Sequence, residues 1–364
     1  VDAMLSDGVN SFTAIVGHQS VGVSAWALAN LAITPPLNDH DDFVLSVLAA
    51  ATESANSDVA TKSGTVNVTV NAVNDRPVAT DAVRTSTEDS GTFSVDLASL
   101  VRDVDTGTTF SLSVAFNAVN SDRDLSGQFN LAGSQLSFDT NLFNDLPLGA
   151  SEDVVFLYTV DDQSGTANAT DTATVTVTVE GRNDSPTADA GGPYAVNEGD
   201  TLVLAAAGSL DPDTGESNSL MYEWDINNDG SYEFGPVSTS SLSLLPSQLA
   251  ALSPARDNGT NSFELTLRAT DAHSAQSFSP ATTATITNQP PTGSIAGPDD
   301  ALATQPVSFT FTGHDASPSD QAILSCQVFW GDGTSQSLGN CYALAPVTAT
   351  HSYNGAGVFT VSLA

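Results

Sequence analysis

The chain has 364 residues, of which 40% are hydrophobic, and its 43 acidic side chains against 8 basic ones give a net charge of −35. That apolar content supports packed cores and excludes an acidic disordered tail. The charge excludes nucleic acid and anionic membrane surfaces as partners and favours divalent cations. Solubility in salty surroundings accounts for scattered acids, but not for acids clustered at repeated positions. No run of 18 apolar residues is present, so no membrane insertion is expected in this segment. Val1 is no initiator, no signal peptide follows it, and Ala364 falls in mid-strand, so both ends read as cuts in a longer chain, with any targeting signal expected outside this piece.

Residues 1–75 hold strands and no helix. Trp26 and the apolar residues 28–33 precede Pro35-Pro36, and DDFVLSVLAAA at 41–51 alternates into an apolar face. GTVNVTVNAVNDRP then sets Val66, Val68 and Val70 against polar neighbours and breaks at Asn74-Asp75-Arg76-Pro77. TATVTVTVEGRNDSP repeats that phrase from Thr172, with Val175, Val177 and Val179 on one face and Asn183-Asp184-Ser185-Pro186 as the break. Asn183 follows Asn74 by 109 residues, and an eroded third copy, ATTATITNQPP, begins at Ala281. A period of that length fits whole domains strung end to end, not solenoid repeats.

The elements predict an all-β chain of tandem immunoglobulin-like β-sandwich domains in an elongated rod. Its pieces are 1–75, an incomplete sandwich repeat; 76–183; 184–288; and 289–364, truncated at its C-terminal side. The joints are a few residues long, which makes a stiff rod rather than beads on a string.

Resemblances sharpen each piece. LANLAITPPLNDHDDFVLSV, from Leu28, resembles repeats of very large secreted bacterial RTX-type adhesins. Glu88-Asp89, Asp103-Val104-Asp105, the strands around Phe129 and Phe138, Tyr158-Thr159-Val160-Asp161 and the Asn183-Asp184-Ser185-Pro186 exit resemble bacterial cadherin-like and VCBS repeats. Ala190-Gly191-Gly192-Pro193-Tyr194, Asn197-Glu198-Gly199-Asp200, Asp211-Pro212-Asp213, Tyr222-Glu223-Trp224-Asp225 and Ala269-Thr270-Asp271 resemble a PKD domain, apart from an insert at 242–258 that is expected to hold a short helical turn. Phe329-Trp330-Gly331-Asp332-Gly333 and His351-Ser352-Tyr353 resemble a second PKD domain.

No catalytic signature is present: no HExxH, no GxSxG, no CxxC and no phosphate-binding glycine loop. The five histidines show no metal-ligand spacing, and His351 is expected to pack or hydrogen-bond locally. Carboxylates are abundant, but small sandwiches offer no cleft for a glycosidase pair, so the chain reads as a non-enzyme. Trp26, Trp224 and Trp330 each fall on an expected strand and read as core. Asn67, Asn168 and Asn258 each open a glycosylation pattern of the kind that occurs often by chance.

Metal binding stands apart. Asp103-x-Asp105 begins 29 residues after Asn74 and Asp161 lies 58 beyond Asp103; Asp211-x-Asp213 begins 28 residues after Asn183 and Asp271 lies 60 beyond Asp211. In a sandwich the loops holding these acids share one end with the entering chain. Asn74, Asp75, Asp103, Asp105 and Asp161 form one expected oxygen set, and Asn183, Asp184, Asp211, Asp213 and Asp271 the other. Ca²⁺ takes six to eight hard oxygens, so both sets suit it. The alternative is that the acids cap turns. The cadherin and PKD resemblances imply calcium at joints, and the cadherin resemblance implies that Glu88 and Glu198 face the next joint along. The last joint lacks the pattern: Asp315 follows Asn288 by 27 residues with no DxD, and it is expected to be metal-free. Asp225-Ile226-Asn227-Asn228-Asp229-Gly230 imitates a calcium loop, but Pro236 stands where the loop's glutamate belongs, so it reads as a hairpin turn.

Cys326 and Cys341 mirror each other about a turn at Gly333-Thr334 and are expected to face directly across a hairpin and form a disulfide. The sequence as a whole reads as the calcium-stiffened stalk of a large secreted bacterial surface adhesin, working with other domains of the same chain and with a cell-surface or matrix ligand or neighbouring copies. An accessory region of a secreted hydrolase and a subunit of an extracellular filament are the alternatives.

Overall fold

The computed structural model describes residues 1–105, 107–259 and 261–364. Thr260, the last residue of the third glycosylation pattern, lies outside them. The chain is all-β, with Pro246–Ala250 and Pro318–Gln321 as the α-helices among the described residues. Two compact units result, one of residues 1–141 with 151–180 and the other of 142–150 with 181–364.

In the first unit, Met4–Ser6 pairs antiparallel with Ser11–Thr13 and Ala32–Thr34. Phe43–Thr52 and Val59–Val68 form a long antiparallel hairpin running from the Phe43–Val68 pair to the Thr52–Val59 pair. Among the described residues Pro77 is the one apolar side chain before Ala82 that is buried. The hairpin has the expected alternation, but a two-stranded sheet cannot cover its own apolar face, and Val44, Val47 and Leu48 stay exposed. Trp26 corrects its expectation: it sits in a bend rather than a strand, and it is half-buried.

Residues 76–141 and 151–180 close into a sandwich. Ser111–Phe116, Ser151–Asp161, Thr170–Glu180 and Ala82–Thr87 lie in that order, the last pair parallel. Phe129–Ala132, Gln135–Asp139 and Thr92–Asp96 form the other sheet. Ala173, Val175, Val177 and Val179 are buried while their neighbours are not, as a period of two requires of a half-buried strand. The ring of Phe156 in the first sheet meets Phe129 and Phe138 of the second at 5.2 and 5.9 Å, which is the sandwich interface. Tyr158, fully buried, donates from its hydroxyl to Thr80 O at 2.8 Å and accepts from Thr80 N at 2.9 Å. That pins the segment after Asn74 to the core.

In the second unit, Tyr194–Asn197 lies parallel to Thr282–Thr287, which is followed in the sheet by Asn261–Thr270, Met221–Asp225 and Phe234–Val237. Leu202–Ala205 pairs with Ser241–Leu244. Trp224, Ile226, Leu204, Leu244, Leu267 and Ile286 share one core, and Leu249 of helix Pro246–Ala250 joins it. That helix is the expected turn of the 242–258 insert.

Residues 289–364 hold two three-stranded sheets: Thr292–Ala296, Pro306–His314 and Val347–Ser352; and Ser335–Gly339, Cys326–Phe329 and Ser362–Leu363. Trp330 packs there as expected, stacked 4.7 Å from His351. His351 Nε2 lies 2.7 Å from Asp332 Oδ2. Hydrogen bonds from Thr334 and His351 bring the Asp332 carboxyl down to about 2.

Cys326 and Cys341 are disulfide-bonded, with Cα atoms 6.0 Å apart. The expected register needs correction. Phe329 pairs with Ser335 and Val328 with Gln336, and a bulge then sets Cys326 opposite Gly339. Cys341 lies beyond the strand, where its carbonyl accepts from Gly313 N at 2.7 Å. A Cβ on Gly313 meets Cys341 Sγ and Leu324 Cδ2, each at 2.7 Å. Gly313→Ala is therefore expected to cost about 1–3 kcal/mol by overpacking. Urea melts of mutant and parent check this, and an unchanged midpoint for the last domain would contradict it.

Candidate metal sites

Each expected joint is clamped beside its DxD loop by a short piece of pairing. In the first unit Val78–Ala79 pairs with Val101–Arg102, immediately before Asp103. In the second, Thr187 and Leu210 exchange backbone hydrogen bonds of 2.6 and 3.1 Å, immediately before Asp211. The chain therefore delivers the Asn-Asp dipeptide to the acids by backbone pairing, independently of any ion.

In the first unit Asn74 Nδ2 donates to Asp162 Oδ2 at 2.9 Å and to Asp75 O at 2.8 Å. Asp75 N donates to Asp105 Oδ2 at 2.9 Å, and Asp105 N to Asp103 Oδ1 at 2.9 Å. In the second unit Asn183 Nδ2 donates to Asp271 Oδ2 at 2.9 Å and to Asp184 O at 3.0 Å. Asp184 N donates to Asp213 Oδ2 at 3.2 Å, and Asp213 N to Asp211 Oδ1 at 3.0 Å. The two networks match bond for bond.

The match corrects one residue. Asp161 is the last residue of its strand, held in the ladder opposite Ser111 and Thr170, and its carboxylate accepts from Gln163 N. Asp162, the first residue past the strand, carries the side chain that meets Asn74, 88 positions away. Asp271 likewise comes first after Asn261–Thr270 and meets Asn183 across 88 positions. Measuring from the joint asparagine rather than from the DxD would have found Asp162. Ser164 above all, with Asn74, holds the Asp162 carboxyl below the usual range.

The second set carries an acid the sequence reading missed. Glu216 opens a 3-10 turn, Glu216–Asn218, and brings its carboxylate within 4.8 Å of those of Asp211 and Asp213. Asp211, Asp213 and Asp271 are 7%, 1% and 5% exposed. Asp211 Oδ2, Asp213 Oδ1, Glu216 Oε2 and Asn183 Oδ1 are buried without a hydrogen-bond partner. Burial raises the Asp211 carboxyl, and burial reinforced by Asp211, Asp184 and Glu216 pushes Asp213 up to about 6. Buried acceptor oxygens without donors are costly, and a hard cation is the partner that this chemistry fits. In the first set, Asp103 Oδ2 is likewise buried without a partner.

The remaining acids divide. Glu88 is fully buried at the start of the turn Glu88–Ser90. Glu198 meets Asp315 and Asp320, with carboxylate oxygens within 4.8 Å of one another, so the last joint, expected to be metal-free, also gathers three carboxylates. No DxD marks this group, because Glu198 follows the strand Tyr194–Asn197 while Asp315 follows Pro306–His314 and Asp320 stands in the helix Pro318–Gln321. Asp257 lies buried beside it, but takes hydrogen bonds from Ser317 Oγ, Ser319 N and Ser319 Oγ. Asp225, Asp229 and Glu233 also approach within 4.8 Å. There Asp225 accepts from the amides of Asn227, Asp229 and Gly230, and Glu233 from Ile226 N. Turn-building occupies these carboxylates, as the hairpin reading expects.

No protein-family model matches this sequence, and no curated protein matches it. Among solved structures the chain is similar to Drosophila N-cadherin EC1-4, at 12% identity and a TM-score of 0.23 over 84% of this chain and 82% of that one. It is similar to extracellular domains 3-5 of Drosophila OTK at 11% identity and a TM-score of 0.25, over 63% and 68% of the two chains. Fibronectin(III)-like modules of Clostridium thermocellum CbhA follow at 14% identity and a TM-score of 0.20, over 59% and 92%. Likeness at these TM-scores carries no argument, so fold and site rest on the strands, registers and acids described above.

Proposed function

We propose that this chain is a calcium-stiffened stalk segment of a large secreted surface adhesin, of bacterial RTX type, built of four cadherin-like and PKD-like sandwiches. The observation that carries the reading is the doubled network from joint asparagine to DxD, with buried oxygens left without donors. Calcium would take oxygens from Asn74, Asp75, Asp103, Asp105 and Asp162 at one joint. At the next it would take them from Asn183, Asp184, Asp211, Asp213 and Asp271. The cadherin resemblance would add Glu88 and Glu198 as ligands, each toward the joint that follows it. Tying a dipeptide between two domains to the loops of one removes bending freedom. The role is mechanical: it holds a distal binding module away from the cell.

Small-angle scattering of the whole chain in millimolar calcium and in chelator tests this, since extracellular calcium modules bind at about 10⁻⁴–10⁻³ M. The expected result is a longer, narrower distribution of dimensions with calcium. Identical maximum dimension and flexibility in both buffers would sink the mechanism. The sandwich cores should stay folded in chelator, because the valine and leucine faces need no metal.

A further inference from the structure

The two networks match bond for bond up to the DxD and differ three residues after it. Glu216 follows Asp213 at the position where Thr108 follows Asp105. Thr108 is half-buried, and its hydroxyl is turned to the backbone, donating to Asp105 O at 2.8 Å. Glu216 instead faces the acids. One of its oxygens lies 3.3 Å from His273 Nδ1, and Oε2 is buried without a partner. Asp213 beside it is 1% exposed and likewise leaves Oδ1 without a partner. These orphaned oxygens, rather than the count of acids, point to a ligand. Nothing in the turns they build needs them.

Calcium affinity in oxygen sites rises with the charge of the ligand set and with its rigidity. The second set has both. Glu216 adds a carboxylate that has no counterpart at Thr108, and the DxD is more deeply buried, Asp211 and Asp213 being buried where Asp103 and Asp105 are half-buried.

We propose that Glu216 is a cation ligand that makes the second joint the tighter calcium site, so that the two joints fill in order as calcium rises. This rests on the reading of the joints as calcium sites. At intermediate calcium the chain would hold the joint at Asn183 while the joint at Asn74 remains open. The stalk then stiffens in two steps rather than one.

Calorimetric titration of the full chain with calcium chloride tests the proposal, with circular dichroism confirming that each variant is folded. The parent chain should show a tighter and a weaker class of sites. Glu216→Gln should weaken the tighter class by ~10-fold or more, about 1.4 kcal/mol, and leave the weaker one unchanged. Thr108→Glu should tighten the weaker class. Asp105→Ala should remove the weaker class alone. If Glu216→Gln and Thr108→Glu both leave the isotherm as it was, Glu216 is no ligand and the grading is overturned, while the joints remain calcium sites. If the parent chain binds no calcium, the reading of the joints falls, and the grading with it.

Discussion

Asp213→Asn is expected to act with opposite sign in the absence and presence of calcium. Without the ion, Asp213 is an ionised carboxylate at neutral pH, 1% exposed, beside Asp211 and Glu216. Burial and those neighbours push it up to about 6, well above the usual carboxylate range. The native state therefore holds its proton more tightly than the unfolded chain does. Stability from this group is fully present below about 4 and is lost as pH rises through about 6. Asparagine removes the charge and keeps the acceptor for Asp184 N. In chelator at pH 7 the variant should be more stable than the parent, by on the order of 1–3 kcal/mol. Its dependence on pH between 4 and 6 should also flatten. In calcium the order should reverse, because the ion loses a charged ligand. Thermal melts across pH 4–8, with and without calcium, read both effects. A variant that is less stable than the parent in chelator would mean that Asp213 is a structural acceptor and not a site held ready for a cation.

The larger loss is expected from Trp224→Ala. Trp224 is fully buried at the centre of the core formed by Leu204, Leu244, Leu267 and Ile286. Truncating a buried aromatic typically costs about 3–5 kcal/mol, from lost transfer energy and the cavity left behind. That is a large share of the stability of one small domain. Trp224→Phe separates packing from polarity. The indole Nε1 has no hydrogen-bond partner, so the phenyl ring gives up area but no bond. Phenylalanine should therefore retain most of the stability that alanine loses. Urea unfolding followed by circular dichroism measures both. Equal loss in the two variants would mean that the indole N–H, not the ring, holds the core.

Local pattern and tertiary structure settled different things in this chain. A period of two is a property of the strand alone, so the alternation at Val175, Val177 and Val179 was enough to identify the buried face. The asparagine-to-DxD spacing was legible for a similar reason. It runs from the joint asparagine to the acid that meets it, and both networks keep a separation of 88 residues. The pairing of Cys326 with Cys341 was legible from the hairpin turn between them, but their register was not, because the bulge between the Gln327 and Cys326 pairs shifts it. What only the folded chain decided is where side chains converge. Asp161 and Asp162 are indistinguishable as letters; one stays in the ladder and the other leaves it, and a step of one residue turns a side chain to the other face. Glu216 reaches the DxD through a 3-10 turn, and Glu198 meets Asp315 and Asp320 from more than a hundred residues away in sequence. Trp26 had an apolar neighbourhood in sequence but lies in a bend and stays half-buried. Periodicity reports which face of an element is apolar, whereas a site depends on where several elements end, and that is fixed only when the sheets pack.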